Sequence, residues 1–301
     1  MPFESAEPLA SLPFPEQQHR FASSDGVAVA VYDWGGDGPP LMLAHATGLH
    51  AHVWIPLVTR LRAQFHCYGV DLRAQGETGV GEPPSFVWDR IGNDFEAAIV
   101  GLGLAGRGDV FGIGHSMGGF AVLDAEMRRP GTFAHLFGFE PVVFPRLDEM
   151  AEQFRMGDNM MANAARRRRE VFPSRSAAYD NYRGKMPFMA IDDDALRAYV
   201  HWGFDDLDDG TVRLKCRAES EAELFSQSFT DALYRLDEVA CPVLLGISEF
   251  TNDGFRTAVP MQVERLPKGT LRNFPNRSHF GPLERTSEFA DIVTTTFLRM
   301  D

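Results

Sequence analysis

Short apolar runs alternate with stretches of helical periodicity along most of the chain. Apolar runs bounded by glycine, proline or charged residues are typical of buried strands, and apolar residues three and four apart are typical of packed helices. The pattern predicts strands at 21–24, 27–34, 41–44, 65–70, 110–113, 133–139, 241–246 and 270–274, and helices at 54–63, 88–104, 255–266, after Gly118-Gly119 and up to residue 299. Strands that alternate with helices predict an α/β fold with a mostly parallel sheet, opened by an antiparallel pair around Asp25-Gly26.

The pattern changes between residues 144 and 235. This stretch has helical spacing, clusters of Met, Arg and Asp, and no strand alternation. Such a change predicts a helical segment inserted after the sixth strand. We call residues 144–235 the inserted segment.

A tight turn is predicted between the fifth strand and the helix that follows it. Gly114-His115-Ser116-Met117-Gly118 has the form G-x-S-x-G, in which glycines two residues to either side of a serine allow a strained strand-to-helix turn. Such a turn exposes the serine hydroxyl at the carboxyl edge of the sheet, above the positive end of the following helix. The backbone N–H of Met117 then points to where a carbonyl oxygen would become negative.

These residues resemble the nucleophile elbow of the α/β-hydrolase superfamily. The resemblance covers 21–143 and 236–299, where Asp71-Leu72-Arg73-Ala74-Gln75-Gly76 also resembles a structural turn of these enzymes with Ala74 in place of glycine. It implies an α/β-hydrolase core at 21–143 and 236–301, a helical cap at 144–235 and an N-terminal extension at 1–20. It also implies Ser116 as nucleophile and His279, on the loop after the last strand, as its base.

The acid of the implied triad has two candidate sites. The usual site follows the seventh strand, where this sequence has Thr251, with Asp253 two residues late and Glu249 nearby. The other follows the sixth strand, where Glu140 comes directly after an apolar run, as in one branch of the haloalkane dehalogenases and in zearalenone lactonases. A carboxylate among apolar residues needs a partner, which favours Glu140, with Asp253 as the alternative.

The loop after the third strand is where the resemblance implies the second oxyanion-hole donor. His45-Ala46-Thr47 matches the family's His-Gly-X with alanine for glycine, so Thr47 and Met117 would donate the two N–H groups, and the Thr47 hydroxyl could add a third bond. His45 is interpreted as a brace for this loop. His45, His50 and His52 have no carboxylate at a metal-binding spacing, so no metal is expected.

Composition narrows the classes of partner. The net charge of −13 disfavours nucleic acid and anionic membrane surfaces. The first 18 residues lack the basic and apolar regions of a signal peptide, no apolar run reaches membrane-spanning length, and three widely spaced cysteines form no disulfide pattern, so a cytoplasmic setting is expected. We expect a small-molecule substrate and no cofactor; a homodimer stays open.

Two charged or glycine-rich motifs have simple interpretations. The G-x-G-x-x-G at 101–106 ends a predicted helix, whereas a dinucleotide fingerprint opens one, so no nucleotide site is expected. The basic run Arg166 to Arg169 is interpreted as a solvated helix face, with an anion-attracting role as the alternative.

The function that the resemblance implies is hydrolysis of a small or medium ester, lactone or thioester by a Ser116, His279 and Glu140 triad. The serine nucleophile disfavours dehalogenase and epoxide hydrolase chemistry, which use a carboxylate. Cleavage of a diketone C–C bond, a cofactor-free dioxygenase and a non-catalytic ligand-binding protein remain as alternatives.

Overall fold

The computed structural model describes residues 15–146, 149, 159–228 and 230–298. In this part of the chain the strands are β1 (Gln17–Ala22), β2 (Ala28–Asp33), β3 (Pro40–Ala44), β4 (His66–Val70), β5 (Val110–His115), β6 (Phe133–Phe139), β7 (Val171–Phe172), β8 (Phe204–Asp206), β9 (Val212–Leu214), β10 (Val243–Ser248) and β11 (Gly269–Phe274). Eight of them form a central sheet in the order β1-β2-β4-β3-β5-β6-β10-β11. The remaining three form a small sheet in the order β7-β9-β8.

Helices lie against the central sheet and in the inserted segment of the described chain. They are α1 (Ile55–Leu61), α2 (Trp88–Gly101), α3 (Met117–Arg128), α4 (Met160–Arg166), α5 (Arg175–Arg183), α6 (Asp193–Trp202), α7 (Ala218–Ser226), α8 (Asp253–Arg265), α9 (Gly281–Glu284) and α10 (Thr286–Leu298). Short 3-10 turns lie at Ala51–Trp54, Phe188–Ala190 and Ala232–Glu238. No helix among the described residues is long and apolar enough to cross a membrane.

The central sheet is parallel except at one edge. β1 pairs with β2 and β2 pairs with β4 in antiparallel register, and every pair from β4 to β11 is parallel. The carboxyl ends of β3, β5, β6 and β10 therefore lie at the same edge, which is where open α/β sheets place their binding sites.

Both faces of the central sheet are buried along its inner strands, such as β3, β5 and β10. Val29 and Val31 of β2 belong to one hydrophobic cluster, and Ala30 and Tyr32 belong to the other. Because successive strand residues point to opposite faces, this alternation means that helices cover the sheet on both sides. The predicted α/β fold is confirmed.

Several predicted boundaries differ from the observed ones because local hydrogen bonds decide them. The sequence predicts Ser23 and Ser24 in the first strand, but Ser23 N donates to Val27 O at 2.8 Å and closes the turn before β2. The predicted helix 54–63 is a 3-10 turn followed by α1, whose first turn contains Pro56. Helix α2 ends at Gly101, shortly before Gly103 with φ 71°, and the G-x-G-x-x-G motif thus follows a helix and precedes β5 as predicted.

The inserted segment contains strands that the sequence did not predict. β7, β8 and β9 are two or three residues long, which is too short to show alternation in the sequence. Tyr179, Tyr199 and Phe204 from this segment are buried in the same hydrophobic cluster as Trp54 and Leu57 of the core. The described part of the inserted segment therefore packs on the core.

Candidate active site

Ser116 lies at the turn between β5 and α3. Its backbone has φ 57° and ψ −113°, a conformation that a non-glycine residue rarely adopts. A Cβ on Gly114 would clash with the carbonyl oxygen of Gly118, and a Cβ on Gly118 would clash with the carbonyl oxygen of Ala44. Both glycines are therefore required by close backbone contacts, as in the predicted nucleophile elbow.

The serine is more enclosed than the sequence predicts. It lies at the carboxyl edge of the sheet but is only 6 % exposed. The chain that leaves β6 crosses the turn: Ser116 N donates to Phe139 O at 2.9 Å, and Val142 N donates to Ser116 O at 3.1 Å. These two bonds fix the strained turn against the end of β6.

Glu140 follows β6 directly and is fully buried. Its backbone is left-handed, with φ 43°, and its N–H donates to Gly246 O of β10 at 3.0 Å. The carboxylate accepts a bond from His279 Nδ1 at 2.5 Å on Oε2, and bonds from Ser248 N at 2.8 Å and Ser248 Oγ at 2.6 Å on Oε1. Burial would raise the pKa of this carboxyl, but the bonds from His279 and Ser248 outweigh burial and hold its pKa below the ordinary value.

His279 lies on the loop between β11 and α9. An ionised carboxylate only accepts hydrogen bonds, so Nδ1, which contacts Glu140, must carry a proton, and in the neutral ring Nε2 is then the proton acceptor. One face of the ring stacks on Phe255, with 4.8 Å between centroids and 20° between planes. Its side chain is 28 % exposed, so part of the ring is accessible.

His115, the neighbour of Ser116, contacts His279. Its Nε2 donates to the His279 carbonyl oxygen at 2.7 Å, and the two ring centroids are 4.8 Å apart. Complete burial lowers the pKa of His115 well below its ordinary value, so the ring is neutral. The residue before the serine thus holds the loop that carries His279. Sequence reasoning did not identify this contact, because it joins residues 164 positions apart.

Asp253, the alternative acid, does not reach His279. It is the first residue of α8, its side chain is 85 % exposed, and its carboxylate lies 4.0 Å from Arg256 Nε. Thr251 is buried, and its hydroxyl has no partner among the described residues. Glu249 accepts a bond from Asn276 N at 2.7 Å. Of the three carboxylates considered, Glu140 is the one bonded to His279.

Ser248 is a site residue that the sequence analysis missed. It ends β10, and because Gly246 of β10 pairs with Phe139, Ser248 lies one position beyond the residue opposite Glu140. The parallel register of β6 and β10 would have predicted that Ser248 lies near Glu140. Both of its donors bind the Glu140 oxygen that does not face His279.

We expect Ser248→Ala to lower kcat/KM for an ester by roughly tenfold, because a hydrogen bond to a charged group contributes about 1.5–3 kcal/mol and part of it is lost with the hydroxyl. Thr251→Val is the matched control, since it removes a buried hydroxyl that has no partner among the described residues. Steady-state kinetics and thermal unfolding of both variants measure the effect. Equal activity of the two variants would contradict a role for Ser248 in holding Glu140.

The two residues that are predicted to supply the oxyanion N–H groups, Thr47 and Met117, are in contact through their side chains. Met117 is the first residue of α3, where backbone N–H groups have no partner within the helix. The Thr47 hydroxyl donates to Met117 Sδ at 3.5 Å, so it is directed at the methionine side chain instead of serving as the additional donor considered above. The loop is fixed further by Gly48 N, which donates to Gln75 Oε1 at 2.5 Å.

His45 has the contacts of a brace. Its Nδ1 donates to Ala46 O at 2.9 Å, and its Nε2 accepts a bond from Leu72 N at 3.0 Å. Burial lowers its pKa, so the ring is neutral and joins the loop after β3 to the turn after β4. Burial also lowers the pKa of His50 to about 4. No group of three His, Cys, Asp or Glu side chains among the described residues could hold a metal ion.

Two further predicted features have a clear place in the structure. Asp71, which begins the family-like turn, accepts bonds from Ala51 N at 2.7 Å, Tyr32 Oη at 2.9 Å and Glu77 N at 2.8 Å. Arg73 is buried and pairs with Asp94 and Asp25. The turn therefore has a structural role. The cysteines at 67, 216 and 241 are free and buried.

A family model and several solved structures are similar to this chain. A model of the alpha/beta hydrolase family matches residues 41–292. The fold is similar to that of E-2-(acetamidomethylene)succinate hydrolase (TM-score 0.74, 19% identity, 93% of this chain and 98% of that chain). It is also similar to the esterase RhEst1 from Rhodococcus sp. ECU1013 (0.72, 18%, 94% and 99%) and to N-formylmaleamic acid deformylase from Pseudomonas putida S16 (0.67, 17%, 92% and 100%). A search of curated protein sequences gave no significant match. Because the family model spans most of its length, the chain belongs to the alpha/beta hydrolase family.

Proposed function

We propose that this hydrolase cleaves a small or medium carboxylic ester, lactone or thioester through an acyl-enzyme on Ser116. The observation that carries the proposal is the 2.5 Å bond between His279 Nδ1 and the buried Glu140 carboxylate. His115, the residue before the serine, also donates a hydrogen bond to the loop that contains His279. This arrangement leaves His279 Nε2 as the acceptor for a serine proton.

The reaction would proceed in two similar halves. Ser116 Oγ attacks the carbonyl carbon while His279 Nε2 takes its proton, and the resulting oxyanion accepts bonds from the backbone N–H groups of Met117 and Thr47. The C–O or C–S bond then breaks, and His279 returns the proton to the leaving alkoxide or thiolate. A water molecule repeats the sequence on the acyl-enzyme and releases the acid. Glu140 keeps His279 in the correct tautomer and stabilises the imidazolium in both halves.

The bonds around Glu140 support its role as the triad acid. All three donors approach an ionised oxygen, and they keep the carboxylate charged where burial alone would favour protonation. A carboxylate that stays ionised can stabilise a positive imidazolium throughout the reaction. Esterases are also among the proteins with a similar fold, which agrees with an acyl-transfer reaction.

The direct test is hydrolysis of p-nitrophenyl esters from acetate to octanoate. We expect turnover that depends on acyl length, because Ser116 is only 6 % exposed and a longer chain needs more room beside it. Oxygen uptake and cleavage of a β-diketone are measured in parallel, because a cofactor-free dioxygenase or a C–C hydrolase could use the same histidine and acid. Absence of ester turnover together with activity in either parallel assay would overturn the proposal.

A further inference from the structure

Arg168, in the middle of the basic run, does not lie on a solvated face. Its side chain is 15 % exposed and its Nη1 donates to Glu221 Oε2 at 2.6 Å. Its Nη2 donates to the hydroxyl oxygens of Tyr182, at 3.4 Å, and of Tyr199. Three helices of the inserted segment, α5, α6 and α7, thus converge on one guanidinium.

The guanidinium lies beside the oxyanion loop. A Cβ on Gly48, the residue after Thr47, would clash with Glu221 and would lie 3.2 Å from Arg168 Nη1. Tyr199 is tied to the same loop: its ring stacks on His50, with 5.6 Å between centroids, and its carbonyl oxygen lies 3.1 Å from His50 Nε2. The charged group is therefore in van der Waals reach of the loop that would bind the oxyanion.

Aromatic rings connect the guanidinium to the histidine loop on the other side. Arg168 lies 5.9 Å from the centroid of Phe188, and Phe188 lies 6.0 Å from Phe280. Phe280 follows His279, and their rings are 5.8 Å apart. Packed side chains therefore connect Arg168 to the oxyanion loop on one side and to the loop of the general base on the other.

The cluster can donate further hydrogen bonds. Both phenol oxygens accept from Arg168, which leaves each hydroxyl proton free to donate, and neither has an acceptor within the described part of the chain. The guanidinium has five N–H groups, of which the contacts with Glu221 and the two tyrosines use only some. Because its side chain is only 15 % exposed, the charge is screened less by water than that of an exposed arginine, which strengthens the binding of an anion.

We infer that Arg168, with the hydroxyls of Tyr182 and Tyr199, binds a carboxylate on the substrate, so that the ester, lactone or thioester cleaved here carries a second, acidic group. This inference rests on the proposed function and adds the class of substrate. Glu221 holds the guanidinium in place and offsets part of its charge. Removing the Glu221 charge should therefore strengthen the binding of a carboxylate, whereas removing Arg168 should weaken it.

The experiment compares matched esters in a pH-stat assay. Monoethyl glutarate and ethyl pentanoate differ only in a carboxylate or methyl group at the end of the acyl chain. 4-Butanoyloxybutanoate and butyl butanoate differ in the same way on the alcohol side. The measured quantity is the ratio of kcat/KM for the acidic ester to that for the neutral one, which cancels any general loss of activity.

We expect the wild type to prefer the acidic ester in one of the pairs, and this pair assigns the carboxylate to the acyl or the alcohol side. Arg168→Gln should lower the ratio by roughly 10- to 100-fold, the effect expected of a charged hydrogen bond. Glu221→Gln should raise the ratio. Arg166→Gln, the control, removes an exposed arginine paired with Glu219 and Glu223 and should leave the ratio unchanged.

Two results would overturn the inference. One is a wild type without preference in either pair. The other is an Arg168→Gln variant that lowers both members of a pair equally, as loss of a purely structural brace would do. Failure of the wild type to hydrolyse any of the four esters would instead count against the proposed function.

A binding measurement decides the inference without any turnover. Glutarate is titrated calorimetrically into Ser116→Ala and into the double variant Ser116→Ala, Arg168→Gln, with thermal unfolding to check that both are folded. Binding to the first that weakens at least tenfold in the second supports the inference. No glutarate binding to Ser116→Ala, or equal binding to both, contradicts it.

Discussion

Replacing Ser116 with alanine is expected to lower kcat/KM for p-nitrophenyl butanoate by about 10⁴- to 10⁶-fold, as loss of the nucleophile does in serine hydrolases. The reason is chemical: without Oγ no acyl-enzyme can form, and His279 has no proton to take from the enzyme. The fold should persist, because alanine and serine meet the same steric cost at φ 57°. Steady-state kinetics and thermal unfolding measure the two effects separately.

Ser226→Ala is the matched control for Ser116→Ala. The Ser226 hydroxyl donates to Ala222 O within its own helix, α7, so its loss should leave activity unchanged. A Ser116→Ala variant that hydrolyses the ester within tenfold of the wild type would contradict the nucleophile role. Retained oxygen uptake in this variant would favour the dioxygenase alternative.

Glu140→Gln should lower kcat/KM by about 10²- to 10⁴-fold, the range expected when the acid of a triad is replaced by its amide. A glutamine has one acceptor oxygen, whereas Glu140 accepts from Ser248 on one oxygen and from His279 on the other. If the amide oxygen stays with Ser248, the amide N–H₂ faces His279 Nδ1. That contact favours the tautomer protonated on Nε2, which cannot take the proton of Ser116.

Asp253→Asn is the control for the acid. Asp253 is 85 % exposed and lies at the start of α8, so the substitution should change activity less than twofold, as surface changes usually do. Kinetics of the two variants on one ester compare them directly. A greater loss in Asp253→Asn than in Glu140→Gln would assign the acid to the seventh strand of the core.

The elbow and the strands around it could be predicted because their determinants are local. The apolar run of β6 is bounded by Thr132 on one side and Glu140 on the other, and the predicted strand 133–139 coincides with the observed one. Gly114 and Gly118 lie two residues to either side of Ser116, and this spacing alone predicts the close backbone contacts that the structure has there. Fold class and the carboxyl-edge position of Ser116 follow from such short patterns.

The contacts that complete the candidate site could not be predicted in this way. Ser248 meets Glu140 across 108 positions, and His115 meets His279 across 164, so each depends on the strand order of the finished sheet. The run of neighbouring arginines predicts an exposed helix face and therefore a solvated Arg168. In the structure Arg168 lies two residues after the end of α4, and its side chain is 15 % exposed. Burial of a single charge depends on tertiary packing, which local periodicity does not report.

The central claim is that His279 and Glu140 activate Ser116, which then forms an acyl-enzyme. Covalent labelling with a fluorophosphonate tests this claim most directly. The reagent forms a P–O bond with an activated serine and loses fluoride, while the base takes the serine proton. Trypsin would release residues 108–128 as one peptide, in which Ser116 is the only hydroxyl-bearing residue. Mass spectrometry of this peptide therefore identifies the labelled atom without ambiguity.

We predict one adduct per chain on peptide 108–128, loss of ester hydrolysis in parallel with labelling, and much slower labelling of Glu140→Gln. An unlabelled peptide 108–128 in protein that hydrolyses esters, or inhibition that follows an adduct on another peptide, would contradict the account.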